Sequence, residues 1–364
     1  MTRPDSTLHQ GKTVKSTLTF PESVSFTITN ACNLRCRMCG QWGPDGYIKN
    51  KVRAEKQMSV DIWKRLVDEL SQKGTGSVLL RGGEVFLYPD IMELIRYIRS
   101  KNIFISIDTN GTLLDKFARE LVSLGNIHIT VSIDGPPQIH DKIRGLNGCF
   151  DSIQKNFSAI AEYEKELGKV ISKSATFTIS HDNYEYLMDL PDIARLLNMQ
   201  TITVVPRYWL PSKASQEHEM VLLEQFGIKA FSCSGFEEED PGIDKERLIR
   251  QLQKFRNKLG EIRSFPYMEL SDEEYSEWFD SYYTIIGSSS CSNAERLLDI
   301  QPNGDVNCCV DFPDVVFGNV KDSTIEEIWN GEKRKGFIEL RRKSMLPACY
   351  RCGAKYMAEI PDKI

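Results

Sequence analysis

Along the chain, short β-branched runs alternate with amphipathic stretches. The runs are VSFTIT from residue 24, SVLL from 77, IFISI from 103, IHITVSI from 127, SATFTI from 174 and TITVV from 201, and they read as strands. Helical spacing between them predicts helices over 59–74, 89–101, 114–124, 150–167 and 186–198. In SVDIWKRLVDELSQKG, Ser59 stands where a cap belongs, Ile62, Leu66, Val67 and Leu70 keep helical spacing, and Gly74 supplies a left-handed stop. Six strands with intervening helices imply a parallel sheet with right-handed crossovers. An open doubly wound sheet and a barrel both satisfy that rule, and periodicity does not choose between them.

From about 212 to 285 the texture changes. This stretch holds an acidic EEED at 237–240, a helical DKERLIRQLQKFRNKLG from 244 and an aromatic-rich DEEYSEWFDSYY at 272–283, with no strand signal. Beyond it, LLDIQPNGDVNCCV predicts a hairpin turning at Asn303-Gly304, and STIE at 323–326 has the pattern of a capping box. The expected organisation is an N-terminal tail (1–22), an α/β unit (23–211), a helical connector that could cover a site (212–285) and a small α+β C-terminal domain (286–364).

Composition narrows the class. With 41% hydrophobic and 27% charged residues the chain suits a folded globular protein. A net charge of −5 gives no basic footprint for nucleic acid. No stretch approaches the apolar length of a membrane span and the first residues lack a signal-like apolar run, so a cytoplasmic protein is expected. The ten cysteines are clustered rather than spread, a distribution that favours metal binding or catalysis over disulfides in a large cytosolic chain.

The tightest cluster is TNACNLRCRMCGQWG, where Cys32, Cys36 and Cys39 lie just after the first strand. A structural zinc site is closed by four ligands, so three thiols alone suit an iron–sulfur cluster with one iron left open. That spacing, followed by Gly82-Gly83-Glu84 after the second strand and by SIDTNG and VSIDG at later strand ends, resembles the radical S-adenosylmethionine (SAM) superfamily over roughly residues 23 to 210.

The resemblance implies a partial (β/α)6 barrel of the TIM type, with its chemistry at the C-terminal ends of the strands. It implies that the open iron of a 4Fe–4S cluster on Cys32, Cys36 and Cys39 chelates the methionine part of SAM. Gly82, Gly83 and Glu84 would receive the SAM amino group through backbone and carboxylate. Asp108 and Asn110 would contact ribose or adenine, and Ser132 and Arg144 would lie near the SAM carboxylate, although a structural salt bridge is an equal use for Arg144. Met38 stands where the family usually has an aromatic residue, and its polarizable thioether can take that role against adenine. Gln41 and Trp42 could also reach the nucleoside, or Trp42 could pack the loop.

In the C-terminal part, Cys291 and Cys309 in the spacing C-x12-G-x4-C and the pair Cys349 and Cys352 in CYRC resemble the twitch or SPASM auxiliary-cluster domains of radical SAM maturases, in the shorter single-cluster form. Four thiolates could equally close a zinc ribbon. Cys308 and Cys309 are adjacent on one strand and point to opposite faces, and the spacing favours Cys309 as the ligand. The implied chemistry is reductive cleavage of SAM to a 5′-deoxyadenosyl radical and hydrogen abstraction from a small molecule or a peptide. The auxiliary 4Fe–4S cluster would accept an electron for a net oxidation, and a flavodoxin or ferredoxin-type donor would supply the first. Asp311, two residues beyond Cys309, could take the accompanying proton or simply cap a turn.

With Cys32 so near residue 1, no leader-peptide-binding domain is expected before it, and the expectation is a small substrate or a partner that brings the peptide. The aromatics Tyr208, Trp209, Tyr267, Tyr275, Trp278, Tyr282 and Tyr283 could recognise substrate at the barrel mouth or form ordinary core. The competing readings are a peptide epimerase or cross-linking maturase of the same superfamily, the epimerase drawing a thiol hydrogen donor from Cys149, Cys233 or Cys308, and a non-catalytic iron–sulfur electron carrier or zinc-stabilised binding module.

Overall fold

The structure, a computed structural model, describes residues 18–48, 57–266, 270–287 and 289–353; Tyr267 lies outside them. Ten strands form one sheet: β1 (Ser23–Thr29), β2 (Ser77–Gly82), β3 (Phe104–Thr109), β4 (Ile127–Ser132), β5 (Ser172–Ile179), β6 (Thr201–Pro206), β7 (Arg263–Pro266), β8 (Leu297–Ile300), β9 (Asp305–Asn307) and β10 (Gly318–Asn319). Their order is β10-β9-β8-β1-β2-β3-β4-β5-β6-β7. Neighbours from β1 to β7 pair in parallel, as the crossovers require. The sheet is open, with β7 and β10 at its edges. It is therefore the expected partial barrel.

Two strands differ from expectation. β7 lies inside the stretch with no strand signal; at four residues, RSFP, it is too short to show alternation. β8 pairs in parallel with β1 through Val24 and Leu298, so the C-terminal hairpin continues the barrel sheet.

Alternation along the strands decides what fills the barrel. In β4, Ile127, Ile129 and Val131 are buried, while His128, Thr130 and Ser132 line a cavity on the other face. β5 does the same with Ala175, Phe177 and Ile179 against Ser174, Thr176 and Thr178. Closed barrels usually pack this interior with branched apolar residues. Here it is polar and hydrogen-bonded, with His128 reaching Ser172 Oγ at 2.8 Å and Ser174 Oγ at 2.9 Å.

The helices follow their patterns with small shifts. Helix Val60–Gln72 buries Val60, Trp63, Leu66, Val67 and Leu70, each such side chain contributing about 1.5–3 kcal/mol of transfer free energy. Ser59 occupies the N-cap position without a side-chain capping bond, and Gly74 takes φ +77° as a stop requires. The capping box sits one residue beyond the predicted one: Thr324 and Glu327, not Ser323 and Glu326, exchange the two bonds. The hairpin connects through a turn from Gln301 to Gly304, with Gly304 at φ +91°. Of the connector aromatics, Trp209, Tyr275, Trp278 and Tyr282 are core, Tyr283 is exposed, and Tyr208 reaches the cavity.

Candidate active site

After Thr29 the chain leaves the sheet in the loop that carries Cys32, Cys36 and Cys39, and neighbours from far along the sequence hold it. The N–H groups of Gly83 and Glu84 donate to the carbonyls of Thr29 and Ala31 at 2.8 and 2.7 Å, and Arg37 N–H donates to Ile143 O at 3.0 Å. A Cβ on Gly82 or Gly83 would lie 2.4 or 2.3 Å from those same carbonyl oxygens, so this approach requires the Gly-Gly pair. The connector closes the remaining side: a Cβ on Gly40 would meet the Phe236 ring at 2.2 Å.

Every thiol of the triad meets a donor. Leu34 N–H donates to Cys32 Sγ at 3.4 Å, Trp42 N–H to Cys39 Sγ at 3.4 Å, and Arg144 Nη1 to Cys36 Sγ at 3.6 Å. Burial pushes Cys32 up to about 11, against the pull of the Leu34 N–H, and raises Cys36 against the pull of Arg144. Such thiols stay protonated in neutral water and release their protons to solvent when a cation binds the sulfur. Three sulfur atoms on one loop, each with a hydrogen-bond donor, fit an iron–sulfur cluster held by three thiolates.

These cysteines open onto a cavity of about 1100 Å³, which Met38, Gln41, Trp42, Gly82, Gly83, Asp108, Asn110, Ser132 and Arg144 also line. Two of the expected contact residues already have partners within the chain. The Glu84 carboxylate does not reach this cavity: it is 1% exposed, and it accepts from Thr109 Oγ1 at 2.8 Å, Asn110 N at 2.8 Å and Phe86 N at 3.2 Å. Three donors saturate it, and it ties the ends of β2 and β3 together. The Asn110 amide is likewise engaged, donating to Asn33 Oδ1 at 2.8 Å and accepting from Thr112 N at 3.0 Å, which fastens the cysteine loop to β3. Asp108 stays open to the cavity. Trp42 lines the cavity and also packs the loop, donating through Nε1 to Asn30 O at 2.7 Å under the Arg35 guanidinium.

Arg144 forms the structural salt bridge and also lines the cavity. Its Nε lies 2.6 Å from Asp134 Oδ2, a fully buried carboxylate, and its Nη1 reaches Cys36. Burial raises Asp134, and Arg144 works in the opposite direction.

Arg81 and Tyr47 line the same cavity and did not stand out in the sequence. Burial opposes the charge on Arg81, but the carboxylates of Asp299, Asp311 and Asp108 outweigh it and hold the guanidinium above its ordinary value. The available signal was an arginine two residues past Leu79 in a β-run, which alternation turns to the cavity face. Asp311 also lines the cavity; burial raises its carboxyl while Arg81 pulls it back.

The second cysteine group sits beside this wall. Val310, Asp311 and Gly353, next to Cys309 and Cys352 in the chain, line the cavity. Cys309 Sγ accepts from Phe312 N at 3.3 Å. The charge of buried Arg341 acts on Cys349, Cys291, Cys352 and Cys308, and its Nη2 has no hydrogen-bond partner among the described residues. A buried cation with an unused N–H amid thiols fits an anionic cluster. Cys308 is 3% exposed and lies off the cavity. Cys149, 3.4 Å from His140 Nε2, and Cys233 are also buried away from it.

An open, mostly parallel partial barrel with three thiols on a cavity, and with the chain neighbours of Cys309 and Cys352 on the same cavity wall, is an arrangement suited to an iron–sulfur enzyme. The family model described as the radical SAM superfamily matches residues 26–192, and that of SPASM, an iron–sulfur cluster-binding domain, matches 291–353. Similar proteins include Fe-coproporphyrin III synthase of Methanosarcina barkeri, 26% identical over 90% of this chain and 80% of that protein. The antilisterial bacteriocin subtilosin biosynthesis protein AlbA of Bacillus subtilis is 22% identical over 93% of this chain and 67% of that protein. Among solved structures, Streptococcus suis SuiB superposes with a TM-score of 0.63 at 16% identity, covering 92% of this chain and 72% of that one. Residues 26–192 accordingly form a radical SAM domain and residues 291–353 a SPASM iron–sulfur domain. The cofactors of the protein are a 4Fe–4S cluster, S-adenosylmethionine and an auxiliary iron–sulfur cluster. No helix among the described residues is long and apolar enough to cross a membrane.

Proposed function

We propose that this protein is a radical SAM oxidoreductase that removes two hydrogens from a polar substrate, a peptide segment or a small molecule. One observation carries the reading: a single cavity is walled both by Cys32, Cys36 and Cys39 and by the residues that flank Cys309 and Cys352. When bound, the cofactors supply a 5′-deoxyadenosyl radical that takes a hydrogen atom from the substrate, and an acceptor for the electron left behind.

The protein's own residues do the rest. Cys32, Cys36 and Cys39 hold the first cluster, and Cys291, Cys309, Cys349 and Cys352 the second. Because the N–H groups of Gly83 and Glu84 are already bound, the Gly82-Gly83 segment meets the SAM amino group with carbonyl oxygens. Met38 packs on the adenine, Asp108 faces the ribose, and Ser132 and Arg144 face the SAM carboxylate. The Asn110 amide positions the cysteine loop while its edge borders the nucleoside. Asp311 takes the proton that leaves as the substrate radical is oxidised, with the Arg81 guanidinium opposing the upward push of burial on that carboxyl. A flavodoxin or ferredoxin-type protein delivers the reducing electron, in the cytoplasm.

The hydroxyl-lined barrel interior favours amide, hydroxyl or charged groups as the part of the substrate that enters. AlbA takes part in bacteriocin biosynthesis and SuiB has been crystallised with its precursor peptide SuiA, which supports the peptide side of this reading. Oxidation is favoured over epimerisation because Cys149, Cys233 and Cys308 all lie off the cavity lining. The test is anaerobic incubation of the reconstituted enzyme with SAM, reductant and peptide or extract fractions in deuterated water. The reading expects substrate-dependent 5′-deoxyadenosine and a product two hydrogens lighter. A product of unchanged composition carrying a solvent deuteron would establish the epimerase instead, and absence of SAM cleavage would favour an electron carrier.

A further inference from the structure

Tyr208 follows β6 by two residues and lines the cavity. Its ring is fixed on Phe236 and Phe312, with centroids 5.1 and 4.9 Å apart, and Phe312 is the residue whose N–H bonds Cys309 Sγ at 3.3 Å. The hydroxyl oxygen is buried and has no hydrogen-bond partner among the described residues. Buried hydroxyls are almost always satisfied, and an orphan of this kind calls for a partner. The ionisable groups acting on it are Tyr282, Cys352, Cys349 and Cys309. Tyr282 gives its own hydrogen to Pro347 O at 2.8 Å and does not bond Tyr208. The thiols assigned above to the auxiliary cluster are within its electrostatic reach, and the ring that packs on it at 4.9 Å belongs to the residue bonded to Cys309 Sγ.

We propose that Tyr208 donates a hydrogen bond to the auxiliary cluster, to a ligand thiolate or a cluster sulfide, and thereby sets the potential at which the cluster accepts an electron. The inference rests on the four-cysteine assignment above. Reduction adds negative charge to a cluster, and a donor aimed at sulfur stabilises the reduced state more than the oxidised one, so the bond raises the potential. The position matters for function, because the same side chain borders the cavity and lies on the cluster's side of it. Tyr208 is a positioning residue: it touches the acceptor and tunes its readiness without performing the abstraction.

Tyr208→Phe keeps the ring and its packing and removes only the donor. In reconstituted full-length protein, the auxiliary cluster is titrated by EPR-monitored potentiometry, the first cluster being recognised by its change on adding SAM. The oxidised-to-reduced ratio of the auxiliary cluster at a fixed potential should rise about tenfold in Tyr208→Phe, which for one electron is a fall of about 59 mV. The first cluster should titrate as in the parent. Deuterium exchange gives a second readout: a solvent-exchangeable proton coupled to the reduced auxiliary cluster should be present in the parent and lost in Tyr208→Phe. An unchanged potential and coupling with both clusters present would overturn the proposal alone. Iron near four per chain in the parent protein would overturn it together with the auxiliary-cluster assignment.

Discussion

Replacing Arg144 by Gln removes two contacts at once, the ion pair with Asp134 and the bond to Cys36 Sγ. Asp134 is 0% exposed and its partner nitrogen stands at 2.6 Å. Removing one member of such a buried pair costs about 3–5 kcal/mol, because the remaining charge must be desolvated or neutralised. Burial already raises Asp134 and Arg144 opposes it, so the orphaned carboxyl takes up a proton. Anaerobic thermal melts should therefore show an apparent Tm lower by on the order of 5 °C for a chain of this size. The double variant Asp134→Asn/Arg144→Gln should recover most of that loss, because no ionisable group is left stranded. The same proteins separate structure from function: if Arg144 also faces the SAM carboxylate, the double variant regains stability but still binds SAM weakly. A single variant that melts within about 1 °C of the parent would refute the ion-pair argument, and a double variant with normal SAM affinity would confine Arg144 to a structural role.

Glu84→Gln turns one of three satisfied acceptor positions into a donor facing donors, and should cost about 1–3 kcal/mol in anaerobic unfolding; unchanged stability with lost SAM affinity would mean that Glu84 binds SAM after all. Asp311→Asn, in protein shown to hold both clusters, should leave 5′-deoxyadenosine formation running while oxidised product falls, and a product ratio equal to the parent's would make Asp311 structural. His218 is buried, and burial first of all depresses it to about 4. Below about 6.5 the unfolded chain binds a proton there that the folded one does not, so stability should fall between about pH 6.5 and 4. His218→Gln should flatten that slope, and a slope identical to the parent's would contradict the assignment.

The parts of the site that lie close together in the chain were readable from sequence. The cysteine triad, the Gly-Gly approach and the strand ends carrying Asp108 and Ser132 each sit in a short motif whose spacing has a physical reason. The structural bonds of Glu84 and Asn110 were not legible because a motif names a residue without naming its neighbours: Thr109 and Asn33 engage those side chains. Pairing of β8 with β1 joins Leu298 to Val24, and no local pattern predicts so distant a partner. Arg81 and Tyr47 were missed for a related reason. Each is ordinary in its own segment and acquires meaning only where the barrel brings it beside a second element, as β2 brings Arg81 toward Asp299, Asp311 and Asp108. β7 was too short for periodicity to register.

On the proposed function, the second cysteine group takes the electron released by the substrate radical. The most direct test is Cys349→Ala/Cys352→Ala in protein that keeps about four irons per chain, as the first cluster alone requires, incubated with SAM, reductant and a substrate that the parent oxidises. Substrate-dependent 5′-deoxyadenosine should still form while oxidised product disappears. Oxidised product formed at the parent's ratio to 5′-deoxyadenosine would contradict that role.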